Sequence, residues 1–175
     1  MKNLVIILLI FSLNGCSNMN LSDYKNNKPL LKLEKYFDGK TIARGVFEDR
    51  FGNIKKSFKV FIDGSWDGQF LVLKEDFIYD DGTKDYREWK IEKDKNNPNA
   101  YSGYAEGVIG TANGFVSGNA FNWKYAFKLQ VGKNKINVKF DDWMFLQEEG
   151  YLINIAKVKK FGITLGRVIL FFEKK

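Results

Sequence analysis

Between residues 41 and 173 hydrophobic and polar side chains alternate with a period of two. The cleanest case is Phe121, Trp123, Tyr125, Phe127 and Leu129, set against Asn122, Lys124, Ala126 and Lys128. A two-residue period sends alternate side chains to opposite faces of a strand. Phe58, Val60 and Ile62 repeat the pattern, as do Ile136, Val138 and Phe140. The strongest local signal lies within Trp66 to Trp89, where the runs Phe70–Tyr79 and Lys84–Lys93 are joined across Asp81-Gly82. An Asp-Gly pair supplies the positive backbone angles of a tight hairpin turn. Runs bounded by Gly, Asp or Asn predict strands at 41–49, 54–63, 66–79, 84–93, 100–109, 114–130, 135–147, 151–160 and 163–173. No long helical stretch separates them, which disfavours a parallel α/β sheet. Tight linkers join sequential neighbours, so the expected fold is all-β, an antiparallel up-and-down barrel of eight to nine strands, with a two-sheet sandwich as the alternative.

The first forty residues break the period. Met1-Lys2-Asn3 precedes the apolar run LVIILLIFSL, which stops at Asn14-Gly15-Cys16. That layout predicts a signal peptide over residues 1–15, too short for a membrane-spanning helix of about 20 apolar residues. Leu13-Asn14-Gly15-Cys16 resembles the bacterial lipobox, with Asn14 departing from the commoner Ala or Ser. The resemblance implies cleavage before Cys16 and acylation of its thiol and new amine, palmitate being one such chain, so that the protein hangs from a membrane by lipid. Several acyl chains hold stably where one does not. Ser17 in the following position resembles the pattern sent to the outer membrane, facing the periplasm. Residues 16–28 are polar and lack a period, the expectation for a tether. After Pro29, LLKLEKYF places Leu30, Leu33 and Phe37 at helical spacing and Asp38-Gly39 ends the run, predicting a short helix that caps one end of the barrel domain, residues 29–175.

Composition narrows the chemistry. The chain contains no histidine, which removes the usual general base, the Ser-His-Asp and Cys-His pairs and the commonest zinc ligand. Its one cysteine excludes an internal disulfide. The net charge of +7 becomes +6 once Lys2 is cleaved away, and interleaved Lys and Glu read as dispersed solubility charge, with no nucleic-acid stripe. Sixteen Phe, eight Tyr and four Trp are ample to fill a core. Glu75-Asp76 and Asp80-Asp81-Gly82 fit turn chemistry better than calcium binding, because the ligand ladder of a calcium loop is missing. Asp141 and Asp142 are adjacent on a strand, so they face opposite ways and form no catalytic dyad. The glycine-rich run Gly107–Gly118 ends in a strand pattern, not a helix, so it is read as strand curvature or bulging, not as a phosphate loop. No catalytic residue, metal ligand or cofactor site is expected.

The informative residues are polar ones whose parity places them among apolar neighbours. Asp142 follows Ile136, Val138 and Phe140 at alternate positions; Arg87 shares a face with Trp89 and Ile91; Arg44 lies between Ile42 and Val46; Asn119 precedes Phe121 and Trp123. Buried charge is costly unless paired, so Asp142 is expected to pair with Arg87 or Arg44 inside the barrel or at its mouth. If that pairing is structural, Asp142→Asn lowers stability. With Trp89, Trp123 and Tyr125, these residues make up the expected ligand-binding set.

The order of short motifs along the chain resembles a catalogued family of bacterial lipoproteins of unknown function, domain of unknown function 3833. The motifs are Tyr36-Phe37-x-Gly39, Asp49-Arg50-x-Gly52, Gly64-x-Trp66-x-Gly68, Glu75-Asp76-Phe77-x-Tyr79-x-Asp81-Gly82, Arg87-x-Trp89, Tyr101-x-Gly103-x-Ala105-Glu106, Trp123-x-Tyr125 and Phe140-Asp141-Asp142-Trp143-Met144. They cover the chain from about Tyr36 to its end. The resemblance implies a lipocalin-like barrel and a lipid-anchored envelope protein, and brings no catalytic residues. The resulting expectation is a non-enzymatic lipoprotein that binds or carries a hydrophobic small ligand such as a fatty acid or lipid. The alternative is a structural or assembly lipoprotein with a packed interior. A continuous empty interior of about 300 Å³ or more favours the first, and a solid interior beside a large exposed apolar patch favours the second.

Overall fold

A computed structural model describes residues 19–175. The expected signal peptide, the lipobox and Cys16 lie outside the described residues. Ten antiparallel strands follow one another as β1 Gly39–Asp49, β2 Ile54–Trp66, β3 Phe70–Tyr79, β4 Lys84–Lys93, β5 Ala100–Ala105, β6 Val108–Ser117, β7 Ala120–Val131, β8 Asn134–Leu146, β9 Leu152–Lys160 and β10 Ile163–Lys174. Each pairs with its sequence neighbour, and β10 returns to β1 from Thr41↔Lys174 to Asp49↔Gly166, which closes the barrel. Closure leaves no strand edge unpaired.

The sheet class follows the alternation, but the strand count exceeds the expectation by one. Residues 100–130 contain three strands where two are expected, because Glu106-Gly107 and Gly118-Asn119 are tight turns at the two ends of the glycine-rich run. The register shift between Ile109 and Asn113 is the expected irregularity in that run. Two further glycines, Gly103 on β5 and Gly114 on β6, face inward. A methyl on Gly103 would meet the Trp123 ring at 3.0 Å and one on Gly114 would meet it at 2.6 Å. The bare backbone of β5 and β6 therefore makes the slot that seats the Trp123 indole. Burying an indole removes roughly 200 Å² from water, on the order of 5 kcal/mol.

One end of the barrel is plugged by α1, Leu33–Phe37, as the helical spacing predicts. The buried face differs in detail: Leu31, Leu33, Tyr36 and Phe37 are buried, whereas Leu30 is exposed. Phe37 packs edge-on to Phe172 at 5.7 Å, and the Tyr36 hydroxyl donates to the Phe172 carbonyl at 3.3 Å. Gly64 lets the helix sink in, since a side chain there would collide with the Phe37 carbonyl. Helices of five residues gain little from their own hydrogen bonds, so tertiary contacts must hold α1. Glu34 supplies one, accepting from Lys93 at 2.5 Å and from the Tyr101 hydroxyl at 2.7 Å. Burial works against the Glu34 charge, but those two hydrogen bonds, together with a backbone hydrogen bond and the Lys93 charge, outweigh it and hold the carboxyl below its usual range. Lys174, at the end of β10, donates to the carbonyls of Lys35, Tyr36 and Asp38.

Within the expected tether, residues 19–28 are mostly exposed but touch the barrel at one point. Leu21–Tyr24 forms a 3-10 turn whose Asn20 side chain accepts from the Ser22 amide. Tyr24 stacks obliquely on Phe145 and Trp143 at 5.2 and 6.0 Å, covering the outward side of β8 near the plugged end. Composition hides this because a single aromatic, Tyr24, does the anchoring. Among the described residues no helix is long and apolar enough to cross a membrane.

Candidate functional site

The lumen is built from the inward parity of each strand. In its lower half, Trp89, Trp123 and Phe121 meet at ring separations of 5.8 and 5.5 Å above the α1 plug. Tyr125 on β7 stacks on Phe140 of β8 at 4.8 Å and meets Trp89 edge-on at 5.3 Å. Among these rings lies a small chamber of about 80 Å³, lined by Glu75, Arg87, Asp142 and Asn154 together with apolar side chains. That volume has room for a few waters. It falls well below the 300 Å³ a lipid-sized ligand needs.

Charge in this layer is organised around β3 and β4. Glu75 and Arg87 are cross-strand partners, and the Arg87 guanidinium donates to the Glu75 carboxylate at 2.8 Å. Arg87 also lies over the faces of Phe77 and Trp89, at 4.9 and 5.9 Å from their centroids. Asp142 sits across the lumen on β8, only 7% exposed, and its carboxylate accepts from the Asn154 side-chain amide. Asn154 also donates to the Trp143 carbonyl at 3.0 Å, which fixes its orientation. Burial pushes Asp142 up to about 7, against the opposing effects of the Asn154 hydrogen bond and the Arg87 charge. Burial likewise raises the Tyr125 hydroxyl, with Asp142 adding to it. The layer thus holds one formed ion pair and one carboxyl group poised between its neutral and charged forms near neutral pH.

Above Arg87 the barrel opens. The end carrying the β3–β4, β5–β6 and β7–β8 turns forms a cup of about 920 Å³, walled by Phe77, Tyr79, Phe127, Leu129 and Phe140, with Lys56, Lys84, Lys128 and Lys135 among the residues that border it. Arg87 lines both this cup and the chamber beneath it. All five aromatic and aliphatic wall residues are half-buried, so their apolar faces remain available to a guest.

The structure brings together five of the seven residues expected to bind ligand: Arg87, Trp89, Trp123, Tyr125 and Asp142 all line the chamber. Arg44 does not join them. Its neighbours Ile42 and Val46 point outward, and Arg44 lies on the outer wall, where it meets Glu173 at 3.4 Å. The inward residues of β1 are Thr41 and Ala43, both buried, with Gly45 and Phe47 in the same parity; they are small or polar near the plug because Phe58, Leu170 and Phe172 cross them from the neighbouring strands. Asn119 is also displaced. It occupies the β6–β7 turn, donates to the Leu146 carbonyl at 2.9 Å and leaves its side-chain oxygen buried without a partner among the described residues. The expected partner of Asp142 is corrected as well: Arg87 bonds Glu75, and Asp142 bonds Asn154.

Glu75 and Asn154 are the site residues that the sequence reading passed over. Both were visible by parity: Leu71, Leu73, Glu75, Phe77 and Tyr79 form one alternating set, and Leu152, Asn154, Ala156 and Val158 another. No group of three or more acidic or thiol side chains able to hold a metal occurs among the described residues. No curated protein matches the chain. A family model described as Protein of unknown function (DUF3833) matches residues 10–174, and the chain belongs to that family.

Proposed function

We propose that this is a lipid-anchored carrier protein of the cell envelope, whose open cup takes the apolar portion of an amphipathic ligand such as a fatty acid or other lipid. The observation that carries the reading is the half-filled lumen. Packed rings and the Glu75–Arg87 pair make a floor, and above it the 920 Å³ cup is walled by Phe77, Tyr79, Phe127, Leu129 and Phe140. Such a cup suits an acyl or aromatic group that enters from the mouth and stops at Arg87. Lysines at its border suit an anionic headgroup left at the rim. Anchoring rests on Leu13-Asn14-Gly15-Cys16, and the outer membrane is the proposed site. The role is binding, not catalysis: Arg87 and Asp142 are engaged by Glu75 and Asn154, which suits a floor better than a reacting group.

Mass spectrometry of organic extracts from purified protein tests the reading, with Phe127→Asp as the variant that places a charge on the cup wall. An acyl compound enriched with the wild type and lost from a variant that still melts cooperatively supports it. No enriched compound, and no displacement of a fluorescent fatty acid, leaves the assembly role as the better account. Cys16→Ser tests the anchor separately, by release of the protein from membranes into the soluble fraction.

A further inference from the structure

Two neighbouring hairpins at the open end carry large apolar side chains that nothing covers. Phe51 at the β1–β2 tip is 74% exposed, and Phe161 at the β9–β10 tip is 92% exposed; Ile54 and Ile163 beside them are more than half exposed. The hairpins adjoin because β1 pairs with β10, and the Arg50 amide donates to the Leu165 carbonyl at 3.0 Å across the seam.

Both tips are built to hold their rings outward. The Asp49 carboxylate accepts from the amides of Phe51 and Asn53 at 2.9 and 3.0 Å, which fixes the first turn. In the second, Phe161 has φ +50° and Gly162 φ +81°, the positive angles of a turn in which Asn-Gly is the usual pair. A bulky residue there is an outlier that costs free energy. At 92% exposure, Phe161 recovers little of it by packing within the chain. A strained aromatic turned to water is better explained by something it meets outside the molecule.

The charges beside the rings indicate what that is. The Arg50 guanidinium lies 4.7 Å from the Phe51 ring centroid, and the Lys160 amine lies 5.4 Å from that of Phe161. Neither cation meets a carboxylate among the described residues, whereas nearby Glu48 and Asp49 are taken by Arg167 and Lys55. Apolar tips collared at close range by unpaired cations match a bilayer, where rings enter the acyl boundary while basic groups stay with anionic headgroups. A pocket on a protein partner would fit the rings but gives no reason for a free cation beside each ring at the same depth. We infer that the β1–β2 and β9–β10 tips dock together on an anionic lipid surface, Phe51 and Phe161 entering it and Arg50 and Lys160 contacting its headgroups. Because Tyr24 and Leu31 contact the plugged end, this contact lies at the opposite end of the barrel from those residues. The inference stands on the tips alone and does not need the cup to hold a ligand.

The test uses the full chain with Cys16→Ser and one new cysteine carrying an environment-sensitive fluorophore, either Thr164→Cys beside the β9–β10 tip, which is exposed and leaves both rings in place, or Asn96→Cys in the β4–β5 turn at the plugged end. Vesicles of phosphatidylcholine alone are compared with vesicles containing about a third phosphatidylglycerol. Expected are a blue shift and quenching by lipid-borne quenchers at the tip label on anionic vesicles only, with the Asn96→Cys label unchanged. Replacing Arg50 and Lys160 by Gln should weaken the tip response about thirty-fold, from about 1 kcal/mol per basic residue near the surface, and added salt should weaken it further. A tip label that stays in water on anionic vesicles, or responds equally to both compositions, overturns the inference. So does a response at the plugged end alone. Extract mass spectrometry is indifferent to these outcomes, so the docking and carrier readings fail separately.

Discussion

Asp142→Asn offers the sharpest check on how the lumen is stabilised, because the structure reverses the sign expected from simple ion pairing. In the unfolded chain the Asp142 carboxyl titrates near the ordinary aspartate value of 3.8, and in the barrel burial lifts it to about 7. Between those values the unfolded state is ionised while the folded state keeps its proton. Folding then binds protons, and stability from this group falls as pH rises from about 4 to about 7, remaining low above that. The gap corresponds to about 4 kcal/mol. Asn has the shape of the neutral acid, and its oxygen still accepts from Asn154, so the variant escapes the penalty. Other carboxyls such as Glu34, held low in the fold, act in the opposite sense: they add stability above their unfolded values and lose it as pH falls. The quantity to follow is therefore the difference between variant and wild type, measured by urea unfolding at several values from pH 4.5 to pH 8.5. It should grow in favour of Asp142→Asn by about 3 kcal/mol over that range, a midpoint shift of roughly 1.5 M at a slope of about 2 kcal/mol/M. A difference that does not change with pH would refute the argument, and a variant less stable than wild type at pH 8.5 would restore direct pairing with Arg87.

Two further substitutions probe the same layer. Arg87→Met strands the Glu75 carboxylate, which is only 12% exposed, and should cost about 3 kcal/mol; adding Glu75→Gln should recover most of it, as read by a double-mutant cycle in urea. Gly114→Ala forces a methyl against the Trp123 ring and the Asn122 carbonyl, and should cost about 2 kcal/mol in calorimetry while shifting Trp fluorescence. An unchanged melting temperature would mean that the indole can shift within its slot, against the tight fit argued above.

Much of this architecture could be read from residue order, and where reading failed the reasons are specific. The β3–β4 hairpin was plain because Asp81-Gly82 interrupts two long alternating runs. Strand β6 was hidden because glycine serves two purposes within a dozen residues: Gly107 and Gly118 turn the chain, while Gly114 opens space for an indole. Arg44 misled because hydrophobicity and burial part company on β1. Ile42 and Val46 flank it on the outer wall, while the lumen side of that strand holds Thr41, Ala43 and Gly45, kept small by bulky neighbours across the seam. Glu75 was lost for another reason, since its adjacency to Asp76 suggested a turn although its parity put it beside Phe77. The cup itself had no sequence signature. Alternation tells which side chains point inward, but how far they fill the space depends on the radius of a ten-strand wall and the depth reached by α1.

The last strand is what makes the wall continuous. Until residues near Lys174 are available, β1 has no partner on one side and β9 none on the other, and the Lys174 amine cannot bind the carbonyls at the end of the plug. Pairing β1 with β10 joins the two ends of the domain, the longest loop the chain can close. A molecule threaded through a membrane from its N-terminus would spend that interval with two bare sheet edges, the condition in which strands recruit one another between molecules. Intolerance of even short C-terminal deletions is therefore built into the way this barrel is wound.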